Sequence, residues 1–264
     1  MMVQRSWGGL HYLDEGSGPL VVLLHPLAMA CEIWRPLVDE LTPDFRVVAP
    51  DARGHGGSTW DGTPFSIPDL ADDIAALIEG LGAGSARLAA LSMGGCTAVA
   101  LAIRHPGLVD SLVLADTTAD YGPDKAAAWA ERAEKAVAVP REKQLGFQLD
   151  RWFSPRFRAE QSAEVERVSR IFTATDSRAH AAACDALGRY DDAPRLSEIT
   201  ASTLVLVGAD DYATPPSMVE TLHAGIARSA LHVLPETRHL SLVENPHARE
   251  LARHHFTTSS RSPL

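Results

Sequence analysis

The chain has 264 residues, of which 45% are hydrophobic and 22% charged, and its formal net charge is −10. That length suits one α/β unit with an insertion rather than two independent domains, and the composition is that of a globular protein in water. The negative excess repels phosphate backbones and anionic lipid, so neither nucleic acid nor a membrane is an expected partner. Cys31, Cys96 and Cys184 are odd in number and form no C-x-x-C pair. They are expected as small buried hydrophobes in a reducing compartment. The opening residues MMVQRSWGGLHYLDEGSG lack a signal peptide's apolar core. The longest apolar-rich stretch, Leu88 to Ile103, falls short of the about 20 residues of a membrane helix. A cytoplasmic location is expected.

The first residues read as a β-hairpin turning at Gly8-Gly9. Leu20–His25 and Phe45–Ala49 follow as short runs apolar on both faces, the pattern of buried parallel strands. Behind Pro68, residues Leu70, Ile74, Leu77, Ile78 and Leu81 share one face of a helix that Gly82 follows. Arg87–Leu91 and Ser111–Ala115 are further strands of the same kind. From about Tyr121 to Arg195 the strand rhythm gives way to alanine-rich and charged helical sequence carrying Trp129, Trp152, Phe153, Phe157 and Phe172. Alternation resumes with Thr203–Gly208, a helix over Ser217–Ile226 opened by Pro215-Pro216, and Ala230–Leu234. This pattern predicts an α/β fold, a mostly parallel central sheet flanked by helices. Residues 1–120 and 197–264 are expected to form its core and 121–196 a helical cap over the sheet's carboxyl edge. The tail from His254 to Leu264 is poor in aliphatics and is expected to fray.

The sharpest chemical signal is Arg87–Leu101, RLAALSMGGCTAVAL. A strand ends at Leu91, Ser92 occupies the turn, and a helix of small residues starts at once, which resembles a nucleophile elbow. Such a turn brings the residues two before and two after the serine together, so both must be small. Here they are Ala90 and Gly94. A nucleophilic serine needs a base, and the base an orienting carboxylate. Eleven histidines leave the base open at this point. Asp116, Asp210 and Asp211 lie just beyond strand ends. No Walker A loop, no G-x-G-x-x-G after a strand and no H-E-x-x-H occurs, so no cofactor and no metal are expected.

Taken together, LLHPLAM, DARGHGGS, ALSMGG, GADDYATPP and RHLSLVENP resemble the α/β-hydrolase superfamily in order and spacing over nearly the whole chain. SMGG followed by LVLADT, with DRWFSPRF and AACDAL in the insertion, is similar to the 3-oxoadipate enol-lactonase branch. That branch hydrolyses a small enol-lactone in aromatic catabolism. The resemblance implies an α/β-hydrolase fold with a helical cap and the chain order serine, acid, histidine. Ser92 is then the nucleophile, Asp211 the acid from the G-x-x-D pattern, and His239 the base on the loop after the last strand. Asp210 becomes a loop neighbour, and Asp116 a hinge or alternative acid. The implied oxyanion hole consists of the Leu27 and Met93 N–H groups, since Pro26 has none. His25, Trp34, Arg53 and His55 are expected to hold loops. Two departures, Ala90 for glycine and HPLA in the first loop, bear on the substrate rather than on the triad.

The implied activity is that of a serine hydrolase cleaving a small carboxylic ester or lactone through an acyl-enzyme. A carboxylesterase, a perhydrolase or a C–C bond hydrolase would use the same triad. A ligand-binding relative with weak catalysis is the alternative from another class. An enol-lactone bears a carboxylate, and a chain of net −10 then needs a local cation. The insertion offers Arg132, Lys135, Arg151, Arg156 and Arg158; Trp129, Arg151 and Trp152 are the expected substrate-binding residues. The expected partner is a small-molecule ester or lactone, bound by a monomer or small homo-oligomer.

Overall fold

Short runs of valine, leucine and alanine with no polar face form strands covered on both sides. The computed structural model, which describes residues 3–259, assembles them into one eight-stranded sheet. The strands are β1 (Val3–Trp7), β2 (Leu10–Gly16), β3 (Leu20–Leu24), β4 (Arg46–Pro50), β5 (Ala86–Leu91), β6 (Val109–Ala115), β7 (Ser202–Gly208) and β8 (Ser229–Leu234). Their order across the sheet is β1-β2-β4-β3-β5-β6-β7-β8. Only β2 runs against its neighbours β1 and β4; the other pairs are parallel. The loops that leave β3, β5, β6, β7 and β8 therefore share one edge, where parallel sheets place their sites.

The first helices are α1 (Arg35–Leu41), α2 (Ile67–Gly80) and α3 (Met93–Arg104). Helix α2 begins one residue before Pro68, because Ser66 and Asp69 form a reciprocal capping box there. Five helices separate β6 from β7: α4 (Lys125–Ala138), α5 (Arg141–Trp152), α6 (Pro155–Glu160), α7 (Ser162–Ala174) and α8 (Ser177–Gly188). The chain closes with α9 (Pro216–Gly225), α10 (Ser241–Glu244) and α11 (Pro246–Thr258). The insertion is tied to loops at the carboxyl edge. Thr175 Oγ1 donates to Ala28 O (2.9 Å), the Ser154 N–H to Glu244 Oε1 (2.9 Å), and the Leu240 N–H to Trp152 O (3.1 Å).

Two expectations need correction. Strand β8 is not buried on both faces: among the described residues β7 is its sole neighbour in the sheet, and Val233 is 46% exposed. An apolar run reads the same at an edge as in the middle, since the edge is defined by what is missing beside it. Nor does the tail fray from His254. Helix α11 continues to Thr258 because Phe256 is buried edge-on against Phe45 (centroids 6.3 Å apart), and Arg87 Nε donates to its carbonyl (3.1 Å). One aromatic side chain on the inner face anchors the last turns. Residues 260–264 of that tail lie outside the described residues. The three cysteines are free and buried, as expected. No helix among the described residues is long and apolar enough to cross a membrane.

Phe256→Ala should therefore lower stability by about 3–5 kcal/mol, at roughly 2–4 °C of Tm per kcal/mol for a chain of this size. Thermal unfolding followed by circular dichroism measures it; an unchanged Tm would mean that the end of α11 is not anchored.

Candidate active site

Ser92 stands between β5 and α3 with φ 55° and ψ −117°, a conformation that costs an ordinary residue about 1–3 kcal/mol. Its neighbours hold it there. The Ser92 N–H donates to Ala115 O (3.0 Å), and Thr117 Oγ1 donates to Ser92 O (2.7 Å). A Cβ on Gly94 would lie 2.1 Å from Leu24 O, and one on Gly95 2.4 Å from Thr117 Oγ1. This corrects the sequence argument, which set Gly94 against Ala90. The three atoms nearest a Cβ at 94 belong to Leu24 and His25, so the end of β3 is what demands glycine. Ala90 is fully buried.

His239 Nε2 lies 3.0 Å from Ser92 Oγ, and His239 Nδ1 lies 2.8 Å from Asp211 Oδ2. The Asp211 carboxylate is further held by the Ala213 N–H (2.7 Å), the Thr214 N–H (3.2 Å) and Thr214 Oγ1 (2.7 Å). Burial works to raise its pKa. The His239 ring beside it and these hydrogen bonds outweigh burial and hold the carboxyl below its ordinary value. Asp210 is exposed, and its N–H donates to Thr237 O (3.0 Å). Asp116 is buried at φ 47° and accepts the Gly208 and Ser241 N–H groups, both at 3.0 Å. It thereby joins the end of β7 to the loop that follows His239. Burial, and then the charge of Asp211, push its carboxyl well above the ordinary range.

The loop after β3 brings Leu27 to the space over Ser92. Met93 is the first residue of α3, next to Ser92. It lines a different void with His25 and Thr97. His25 donates from Nδ1 to Pro26 O (2.8 Å) and accepts the Ala52 N–H at Nε2 (2.9 Å), pinning the first loop to the segment after β4. Trp34 is fully buried, Arg53 pairs with Asp73 (2.8 Å), and His55 Nδ1 donates to Arg53 O (2.9 Å). His11, Cys31 and Asp51 bring ligand-type atoms within 4.8 Å of one another. Asp51 is occupied there by the Cys31 N–H (2.6 Å), the Gly57 N–H (2.8 Å) and the His11 ring (2.7 Å), which makes it a loop tie.

Pro26, Leu27, Thr214 and His239 line the core side of the cavity over Ser92. Tyr121, Trp129, Arg132, Arg151 and Trp152 line the other side. The free space is about 20 Å³, room for little more than a water. A larger cleft of about 630 Å³ lies between α6 and the Glu236–Arg249 region and contains none of Ser92, His239 or Asp211.

Of Arg132, Lys135, Arg151, Arg156 and Arg158, the structure brings two to the cavity. Arg132 and Arg151 are partly buried and make no hydrogen bond or ion pair among the described residues; Arg132 stacks over Trp129 at 4.9 Å. Burial, then the charge of Arg132, pull Arg151 down to about 10. The other three pair elsewhere: Lys135 with Glu131 (2.6 Å), Arg156 with Glu160 (3.2 Å) and Arg158 with Asp150 (3.0 Å). Tyr121 and Thr214 were not singled out by sequence reasoning. Thr214 sits inside the GADDYATPP motif, but nothing in its spacing marks a hydroxyl that reaches the acid. Tyr121 opens the insertion without a motif around it.

The model of the alpha/beta hydrolase fold family matches residues 19–246. The 3-oxoadipate enol-lactonase 2 of Acinetobacter baylyi is 32% identical over 241 residues, 90% of this chain and 89% of that protein. The crystal structure of the enol-lactonase from Burkholderia xenovorans superposes with a TM-score of 0.90 at 30% identity, covering 97% of this chain and 100% of that one. A thermophilic esterase from Thermogutta terrifontis, solved with malate bound, gives a TM-score of 0.88 at 26% identity, with 98% and 100% covered. With the elbow, the sheet order and these likenesses in agreement, the chain belongs to the alpha/beta hydrolase fold family and is similar to its enol-lactonases.

Proposed function

We propose that the protein is a serine hydrolase that opens a small ester or lactone carrying a carboxylate, with Ser92, His239 and Asp211 as its triad. The observation that carries the reading is the hydrogen-bonded run from Ser92 Oγ through His239 to Asp211, in a cavity shared with two guanidiniums that have no anionic partner among the described residues. Asp211 Oδ2 accepts a hydrogen bond from His239 Nδ1–H, so that nitrogen bears the proton and Nε2 is free to take the one from Ser92 Oγ. The serine oxygen attacks the carbonyl. The oxyanion is received by the Met93 and Leu27 N–H groups, each contributing about 3 kcal/mol to the barrier reduction. His239 returns the proton to the departing oxygen, which in a lactone stays attached to the acyl chain. Water activated by the same imidazole then frees Ser92.

Burial lowers the pKa of both guanidiniums and the charge of Arg132 lowers that of Arg151 further, and neither has an ion-pair partner among the described residues, so an anionic substrate supplies the counter-charge. A charged hydrogen bond of this kind contributes roughly 1.5–3 kcal/mol. The 3-oxoadipate enol-lactone has the required lactone carbonyl and one carboxylate, and likeness to the named enol-lactonases supports it.

Ser92→Ala and His239→Ala should each remove several orders of magnitude of kcat, and the double variant little more. Asp211→Asn should cost about 10⁴-fold in kcat, whereas Asp210→Asn should leave it within a few-fold; steady-state kinetics with a short nitrophenyl ester decides, and the opposite ranking would reassign the acid. Arg132→Ala and Arg151→Ala should each lower kcat/KM for a carboxylated lactone by roughly 10–100-fold and spare its methyl ester. Were the methyl ester preferred and both arginines dispensable, the enol-lactone assignment would fall.

A further inference from the structure

Of the two N–H groups expected to receive the oxyanion, that of Met93 belongs to the first residue of α3, whereas that of Leu27 lies in an irregular loop. No helix fixes its direction, and among the described residues it gives no hydrogen bond to the protein. Its aim must come from the peptides on either side. On the near side, the Pro26 carbonyl shares a peptide plane with the Leu27 N–H and points the opposite way. It accepts from His25 Nδ1 (2.8 Å) and the Met29 N–H (3.3 Å), both donors of the loop itself. On the far side, the Ala28 carbonyl accepts from Thr175 Oγ1 (2.9 Å), which lies 147 residues further on, at the end of α7.

Ala28 depends on that far-side anchor. Its φ is 59°, a left-handed conformation that a residue with a Cβ keeps only under constraint from outside. Ala28 and Thr175 are both buried, so bulk water does not compete for the bond. The other acceptor near the hydroxyl, Ile171 O, is farther away at 3.2 Å. The end of α7 is itself held firmly. Arg141 donates from Nε (2.9 Å) and Nη2 (2.6 Å) to Phe172 O and lies 4.0 Å over the Phe172 ring. Earlier in the helix, Arg167 donates to Glu32 O and to Ile33 O (3.2 Å). Helix α7 thus grips the loop after β3 at two places, and the one at Ala28 adjoins the expected oxyanion donor.

We propose that Thr175 is a positioning residue of the oxyanion hole: by holding the Ala28 carbonyl it keeps the Leu27 N–H aimed at the space over Ser92, so that the helical insertion serves catalysis through a loop of the core. This deepens, and rests on, the hydrolase reading above. Without the hydroxyl, Ala28 relaxes from its left-handed conformation, and rotation there swings the neighbouring peptides. An oxyanion donor acts on the charge that develops in the transition state, not on the neutral carbonyl. The same hole serves formation and hydrolysis of the acyl-enzyme. Loosening it slows both steps together, which lowers kcat and leaves KM nearly unchanged.

Thr175→Val keeps the shape of the side chain and removes the O–H. With a short nitrophenyl ester it should lower kcat by roughly 10–100-fold, with KM within a few-fold. Thr175→Ser, which restores the donor, should return kcat to within a few-fold of wild type. A trifluoromethyl ketone, whose adduct with Ser92 places an oxyanion in the hole, should lose affinity for Thr175→Val by the same factor as kcat/KM. The corresponding secondary alcohol, which forms no adduct, should bind both proteins equally. Thermal unfolding shows whether each variant is folded at the assay temperature; should Thr175→Val not be, Thr175→Ala takes its place in the same comparison with Thr175→Ser. An unchanged kcat in the folded variant, a loss confined to KM, or an equal loss in Thr175→Ser overturns the positioning role. So does a lowered Tm with kcat intact, which would make Thr175 a packing residue. Wild-type protein that neither cleaves the ester nor is labelled at Ser92 by a fluorophosphonate overturns the hydrolase reading itself, and the positioning role falls with it.

Discussion

The sharp turn at Ser92 constrains everything around it. A serine at φ 55° cannot sit there on its own account. It is held because β6 accepts its N–H at Ala115 O and Thr117 caps its carbonyl, while β3 leaves room only for hydrogen at Gly94. The turn therefore depends on three strands lying side by side in register, and it forms with the sheet. Once formed, it lifts the hydroxyl above the carboxyl edge and starts α3 at the next residue. The N–H of Met93 then sits at the positive end of a helix, beside the place where the proposed oxyanion develops.

The loops bearing the other two residues of the proposed triad are coupled by a carboxylate that is not among the three. Asp116 accepts from Gly208, three residues before Asp211, and from Ser241, two residues after His239. Glu244 extends the tie, accepting the Arg238 N–H (3.0 Å) and the Ser154 N–H (2.9 Å). The Leu240 N–H reaches Trp152 O. The histidine loop is thus fastened to β7 on one side and to the helical insertion on the other. The wall containing Trp152 and Arg151 and the imidazole are positioned by the same few hydrogen bonds.

Charge is distributed against its average. The chain is net −10, yet the cavity over Ser92 presents two guanidiniums with no ion-pair partner among the described residues. Fields from distant surface charges are screened within roughly 8–10 Å at physiological salt, whereas a guanidinium at the cavity wall acts at contact through a poorly hydrated path. The global charge sets which macromolecules stay away; the local pair sets which small molecules bind.

Much of this was legible in the residues. Six apolar runs and the small residues around Ser92 specify the sheet and the elbow, because each is written in local spacing; Asp211 and His239 are picked out by the resemblance of the motifs and their order to the α/β-hydrolases. What spacing cannot express is which element lies alongside. An amphipathic helix places arginines outward at the same interval whether that face meets solvent or a cavity, so Arg132 and Arg151 parted from Lys135, Arg156 and Arg158 only when α4 and α5 docked over the sheet. The same reason covers β8, whose apolar sequence does not say that it lies at the edge of the described sheet, and α11, whose last turns depend on Phe45 more than 200 residues away. It covers Gly94 as well, whose limit is a carbonyl on β3. Sequence by itself determined the elements and the chemistry they can carry; the tertiary structure alone decided their neighbours, since burial and unmet polar groups are properties of contacts between segments far apart in the chain.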